Sequence, residues 1–323
     1  MNSRERVLTA LKLQKPDRVP FMELGIDYDI GARILGKNDY TQFELAEFLK
    51  LDGIGTTCYP ILYAQYQKGE DGRNYIVGGT LKDESDLARI QLDDPRDDSK
   101  YDHVKRIVEE NNGRLAVFGA TNIGLDPLLL GMGLDNFSYA LVDDPGLVEK
   151  ILDIYTDWAA DTVEKLQDCG VDIIWFTDDI AFNTTLMFSP QFFREIAMPR
   201  LRKVMERVKV PIIYHSDGNI APVIDDLIDL GINGIHPIDP SALDIEDVKR
   251  RFGSRICLVG NIDLRYTLVS GTVDEVKAEV KDRIEKIGKD GGYILCSANT
   301  ITNYCKPENV MAMRDALLEY GSI

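Results

Sequence analysis

His215, Asp239 and Cys296 are the residues whose types and places say most about chemistry. Each stands at or just after the end of a short apolar run, and together they offer an imidazole nitrogen, a carboxylate oxygen and a thiolate sulfur, the donor types that Zn²⁺ accepts. Three protein ligands leave a fourth tetrahedral position for substrate or water, the arrangement of a catalytic zinc and not of a structural one. Asp217, two residues beyond His215, is a candidate fourth ligand or a group that orients the His215 ring, and His236 is a reserve ligand. Singly, each residue has a plainer reading. His215 could be a hydrogen-bonded strand-end group, Cys296 a small buried hydrophobe, and Asp239 the cap of a helix beginning near Asp244. As a set they are expected to hold the metal.

Other runs also end in polar residues. Asp178 and Asp179 are adjacent, and because side chains alternate along a strand only one need face a common mouth. Asp178, with Asp217, is taken as the candidate catalytic acid or base. Glu23, Asn122, Asn261 and Asn299 close further runs and are expected to bind substrate. Tyr59, Met187 and Phe188 are candidates for an apolar wall against an aromatic ring. His103, in a charged helical stretch, reads as solvated, while Cys257 reads as core and Cys58, Cys169 and Cys305 as structural.

Short apolar runs alternating with amphipathic stretches must position these residues, which is how buried parallel strands joined by crossover helices read. Eight runs are discernible: Arg18–Glu23, Gly53–Tyr59, Leu115–Ala120, Asp172–Thr177, Pro211–His215, Gly234–Ile238, Ile256–Gly260 and Tyr293–Ser297. The clearest helices between them are Pro145–Gln167, Pro190–Val208, Asp244–Phe252 and Val273–Ile287. The expected fold is α/β, a single (β/α)8 TIM barrel forming one domain over residues 1–323, with chemistry at the carboxyl ends of its strands. An N-terminal helix should cover the barrel bottom. A polar hairpin, Gln65–Leu81 with Asp71-Gly72 at its turn, should follow the second strand as an insertion.

Composition narrows the partners. The chain has 323 residues, 44% hydrophobic and 28% charged, enough for one large core. Its 54 acidic residues against 37 basic ones give a formal charge of −17, which repels nucleic acid and anionic lipid. No apolar stretch approaches the roughly 20 residues of a membrane span, and the opening residues lack the apolar run of a signal peptide, so a cytoplasmic protein is expected. The five cysteines are odd in number, scattered and without a CxxC pair, which argues against a disulfide framework or a zinc ribbon.

Several segments in this order resemble the uroporphyrinogen decarboxylase superfamily across essentially the whole chain. They are Arg4-Glu5-Arg6-Val7 leading to Pro16-Asp17-Arg18-Val19-Pro20, Ser189-Pro190-Gln191-Phe192-Phe193 leading to Pro199, and His215-Ser216-Asp217-Gly218-Asn219. Gly260-Asn261-Ile262-Asp263 and Gly291-Gly292-Tyr293-Ile294-Leu295 with Pro307-Glu308-Asn309 complete the set. Decarboxylases of that family carry an arginine-rich segment after the first strand to hold porphyrinogen carboxylates. Here Phe21-Met22-Glu23-Leu24-Gly25-Ile26-Asp27 stands in its place, and Glu23 and Asp27 would repel a polycarboxylate.

The resemblance therefore points to the corrinoid-dependent methyltransferase branch, whose thiol-methylating members bind zinc through a His-x-Cys pair and a late Cys. Asp217 replaces the first of those cysteines, and Asn299 stands nearer than Cys296 to the place of the last. A more oxygen-rich site favours an oxygen-bearing substrate over a thiol. The resemblance implies a zinc-dependent enzyme moving a methyl group between a small, methoxylated aromatic compound and a corrinoid (cobalamin) on a corrinoid-binding partner protein, and it leaves a homodimer open. Two alternatives stand beside this expectation: a metal-free decarboxylase-like enzyme acting on a tetrapyrrole or small acid through Asp178, and a non-catalytic corrinoid-handling barrel.

Overall fold

The computed structural model describes residues 1–70, 72 and 74–323. Asp71, expected at the hairpin turn, lies outside the described residues. Among the described residues nine strands follow one another: β1 (Gly53–Thr57), β2 (Ala64–Lys68), β3 (Asn74–Gly79), β4 (Ala116–Thr121), β5 (Ile173–Thr177), β6 (Ile212–His215), β7 (Gly234–His236), β8 (Cys257–Ile262) and β9 (Tyr293–Ser297). β1 and β4 through β9 form one sheet in that spatial order, every neighbouring pair parallel, while β2 and β3 pair antiparallel as the expected hairpin after β1.

The first expected strand, Arg18–Glu23, is the exception. It makes only isolated bridges among the described residues, Arg18 antiparallel to Ser322 and Phe21 parallel to Leu295, the second flanked by hydrogen bonds from Met22 N–H to Leu295 O (3.0 Å) and from Leu295 N–H to Pro20 O (2.9 Å). On its other side Asp52 N–H donates to Phe21 O at 2.7 Å, so the segment touches residues of β9 and the residue just before β1. Its pairing is short because Pro20 has no N–H to extend a ladder and the N–H of Phe21 is taken by the Asp52 side chain at 2.9 Å.

Alternation along each strand divides the core in two. Ala116, Phe118, Ala120, Ile173, Trp175, Ile213, Cys257, Val259, Ile294 and Cys296 pack together on one face, closed at one end by Val7, Ala10 and Leu11 of the N-terminal helix Ser3–Leu11. The intervening residues Val117, Ile174, Phe176, Ile212, Tyr214, Leu258, Tyr293 and Leu295 meet the surrounding helices on the other face. β1 contributes glycines to the inner face, and a Cβ at Gly55 would lie 2.3 Å from the Phe118 ring, so that ring fills the space a side chain there would need. The surrounding helices match the periodicity closely. Pro145–Asp168 is capped by the Asp144 side chain, and Ile245–Phe252 begins at Asp244, whose Oδ1 accepts the N–H of Glu246 at 2.8 Å. No helix among the described residues is long and apolar enough to cross a membrane.

Candidate metal site and its cavity

The inner parity of β5 and β6 brings the chemistry together. Ile173, Trp175 and Thr177 face inward, and two residues on Asp179 does the same; Ile213 faces inward, and two residues on stands His215. As a result His215 Nε2 lies 3.6 Å from Asp179 Oδ1 and 4.0 Å from Asp217 Oδ1. Asp179, His215 and Asp217 can each point one ligand atom to a common place, all within 4.8 Å of one another, and they are the one such group of three among the described residues. The loop that carries Asp217 is pinned from several sides. Asp217 N–H donates to Asp179 Oδ1 (2.9 Å), Asn299 Nδ2 donates to Asp217 Oδ2 (2.8 Å), and Asp217 Oδ1 is buried with no hydrogen-bond partner.

That orphaned oxygen matters, because a buried acceptor without a donor is costly unless something else satisfies it. One imidazole nitrogen and two carboxylate oxygens converging at this spacing form a donor set that a divalent zinc accepts. The residues therefore fit the metal.

Asp239 and Cys296 lie outside this group. Asp239 uses one oxygen on Gly218 N–H (3.2 Å) and the other on the N–H and hydroxyl of Ser241 (2.8 and 2.7 Å), so it shapes two loops, and the helix it was read as capping is capped by Asp244 instead. The Cys296 thiol is buried between His236 Nε2 (3.3 Å) and Glu23 Oε2 (3.6 Å). Burial and the nearby Glu23 carboxyl push it well above the ordinary thiol range, which favours the neutral thiol over the thiolate a metal needs. His236, the reserve ligand, is wholly buried and meets His215 Nδ1 to Nδ1 at 2.7 Å.

Asp178, the expected acid or base, has outer parity and points away from His215. Its carboxylate accepts N–H groups from Ile123 (2.6 Å), Gly124 (3.3 Å) and Asp126 (2.6 Å), tying the end of β5 to the start of the helix Leu125–Met132. Burial raises its pKa to about 6 against the lowering effect of those three donors. Asp179 takes the place at the mouth.

A cavity of about 250 Å³ opens beside the metal-capable group, lined by Leu24, Tyr59, Leu62, Asn122, Asp126, Thr177, Asp179 and His215. Tyr59 and Asn122, expected to bind substrate, both line this cavity. The Tyr59 hydroxyl accepts from Thr177 Oγ1 at 3.3 Å, and Asn122 Nδ2 donates to the Thr177 carbonyl. Met187 lies instead beside the β2–β3 hairpin, and Asn261 is occupied by the Ile238 carbonyl (2.8 Å) and Arg283 Nε (2.9 Å). Glu23 lines a separate cavity of about 320 Å³ that also contains Tyr28 and Tyr40. Its carboxylate accepts Ser297 N–H (3.0 Å) and Ser297 Oγ (2.6 Å), and burial raises its pKa to about 8.

Asp126 was not singled out in the sequence, and Asp179 was named only as one of the Asp178-Asp179 pair. Asp126 is buried beside Asp178 and Asp179, and desolvation with those two like charges pushes it well above the ordinary carboxyl range. Nothing in its local sequence, Gly124-Leu125-Asp126-Pro127, signals that position. Asp179 did carry a signal, the Asp178-Asp179 pair, but not which member faces inward.

A curled parallel sheet whose strand ends carry a polar cavity is a barrel-like α/β architecture. The chain belongs to the uroporphyrinogen decarboxylase (URO-D) family, whose model matches residues 68–320. It is 31% identical over 175 residues to methylcobamide:CoM methyltransferase MtaA of Methanosarcina barkeri, covering 54% of this chain and 49% of that one. It is also 24% identical over 275 residues to a uroporphyrinogen decarboxylase of Pseudomonas fluorescens, covering 80% and 73%. The chain thus spans about half the length of the methyltransferase relatives it matches. Among solved structures, a methyltransferase from Methanosarcina mazei superposes with a TM-score of 0.77 over 99% of both chains at 24% identity, a likeness of fold.

Proposed function

We propose that this protein is a metal-dependent methyltransferase that moves a methyl group between a small, uncharged methoxylated compound and a corrinoid carried by a separate protein. The observation that carries the reading is the convergence of His215, Asp179 and Asp217, with the Asp217 Oδ1 atom buried and unpartnered. The likeness to the methylcobamide-using MtaA supports the reaction class and the corrinoid partner. The Phe21 segment is read as the eighth stave of one barrel that the whole chain forms.

His215, Asp179 and Asp217 would hold a zinc ion, and bound zinc would act as a Lewis acid that lowers the cost of charge developing where the methyl group departs. The chain's own residues do the rest. Asn299 holds Asp217 by Oδ2 and so leaves Oδ1 for the ion. Asp126, whose carboxyl burial and like charges hold well above the ordinary range, lines the same cavity. Tyr59, Leu24 and Leu62 supply apolar surface. An oxygen-rich donor set is harder than the sulfur-rich sets that suit thiols, which supports an ether oxygen as the group it meets.

Two features weigh against a tetrapyrrole polycarboxylate. The cavity, at about 250 Å³, is below the roughly 300–1,000 Å³ of pockets for drug-sized ligands, and its lining contains three acidic or imidazole side chains but no lysine or arginine. Carboxylates need cations.

The test is to incubate the protein with a reduced corrinoid protein and a panel of methyl ethers, following methylcobalt absorbance, and separately with uroporphyrinogen, following coproporphyrinogen. Methylcobalt formation from an ether is expected. Coproporphyrinogen formation without methylcobalt would contradict the reading.

A further inference from the structure

A metal-ligating histidine needs a lone pair on the nitrogen that faces the metal, and a neutral imidazole has one such nitrogen and one N–H. Which is which depends on the partner of the other nitrogen. For His215 that partner is another imidazole, His236, at 2.7 Å between the two Nδ1 atoms. One of the pair must donate and the other accept.

The far side of His236 decides. Its Nε2 lies 3.3 Å from the backbone carbonyl oxygen of Ser297, which can only accept. A proton on His236 Nε2 satisfies that carbonyl, leaves His236 Nδ1 with its lone pair, and requires His215 to donate through Nδ1–H. The His215 lone pair then sits on Nε2, the nitrogen that faces Asp179 and Asp217. The Cys296 thiol at 3.3 Å could donate to His236 Nε2 and reverse the chain, but Glu23 Oε2 at 3.6 Å offers it an acceptor instead. The distances from His215 Nε2 to the two carboxylates agree: at 3.6 and 4.0 Å neither is a hydrogen bond, so Nε2 is not spending a proton on them. His236 is also fixed in place. It is wholly buried, with the Trp175 ring edge-on at 5.1 Å.

We infer that His236 is a positioning residue that locks His215 into the Nδ1–H tautomer, through a relay running from the Ser297 carbonyl to the metal-facing Nε2. The inference rests on the reading of His215 as a metal ligand, and it says how an apoprotein keeps that ligand ready without reorganising on metal uptake. Nothing in the relay requires the corrinoid or the methyl donor.

The experiment reads the tautomer directly. The chain has three histidines, so ¹⁵N-labelled imidazole resonances are assignable with a His103→Gln variant and a His215→Gln variant. In the metal-free wild type at pH 9, the two-bond ¹H–¹⁵N pattern is expected to report His215 as Nδ1–H and His236 as Nε2–H. A His215 signal of the Nε2–H form overturns the inference, whether or not the protein proves to be an enzyme.

A second arm uses zinc alone, titrated against a competing chelator. His236→Phe keeps a ring against Trp175 but offers His215 no acceptor, and zinc affinity is expected to fall about 10–100-fold. His236→Asn restores an acceptor oxygen near the Nδ1 position and is expected to recover most of that loss. Equal zinc affinity in wild type and His236→Phe would contradict the relay. A wild type that takes up no zinc would sink the metal reading while the resonance pattern still decides the tautomer.

Discussion

Asp178 and Asp179 are neighbours of one residue type with different fates, and the difference is a matter of which way a strand turns its side chains. Asp178 closes three backbone N–H groups, so Asp178→Ala should leave buried donors unpaired and destabilise the protein by about 1–3 kcal/mol in a urea titration. Asp179→Asn, which spares those donors, should change stability by less than about 1 kcal/mol but reduce zinc uptake. Equal stability losses in the two variants would contradict the division of labour. Glu23 offers a separate test. Its folded pKa of about 8 lies above the ordinary 4.5, so the unfolded chain gives up this proton earlier as pH rises. Stability contributed by the protonated form is fully present below about pH 4.5 and is lost as pH climbs towards 8. Thermal midpoints should therefore fall over that window in the wild type and fall less in Glu23→Gln, and parallel curves would show that Glu23 is not the group responsible. His215 and Asp217 were legible in the sequence, but a Cys296 thiolate was expected where the converging group has a second carboxylate, and the side each residue faces was not legible. β5 is apolar on both faces, Ile173 and Trp175 inward and Ile174 and Phe176 outward, so its pattern carries no parity from which to choose Asp179 over Asp178.

The elements explain how the ligands are held. Strand positions were readable for β1 and for β4 through β9, because buried parallel strands appear as short apolar runs between helices. Arg18–Glu23 shrank to isolated bridges because of a proline and a side chain, Pro20 and Asp52, the second of which lies 32 residues beyond Pro20 in sequence and could not have been anticipated locally. The loop after β6 makes a sharp demand on the backbone. Gly218 follows Asp217 with φ at +81°, and a Cβ there would meet the Ala181 carbonyl oxygen at 2.6 Å and the Phe182 carbonyl oxygen at 2.7 Å. Gly218→Ala should cost about 1–3 kcal/mol and draw Asp217 away from His215, which zinc titration would register as weaker binding. An unchanged affinity would mean that the loop tolerates the displacement or that Asp217 is not a ligand. Asp239 and Cys296 failed to join the set for reasons that belong to the same scale: one caps the turn at Ser241 and steadies Gly218, and the other is enclosed with Glu23 and His236.

At the scale of the whole molecule, charge and cavity shape point the same way. A net charge of −17, with Asp179 lining the cavity at the strand ends and Asp217 beside it, disfavours polyanions and suits a bound cation. The proposed chemistry depends on that cation. The most direct measurement is the zinc content of the purified chain after exposure to excess zinc and gel filtration, in the wild type and in four variants. About one zinc per chain is expected in the wild type, in Asp239→Asn and in Cys296→Ser, with little or none in His215→Ala and Asp217→Ala. A wild type without zinc, or His215→Ala and Asp217→Ala retaining a full equivalent, would contradict it.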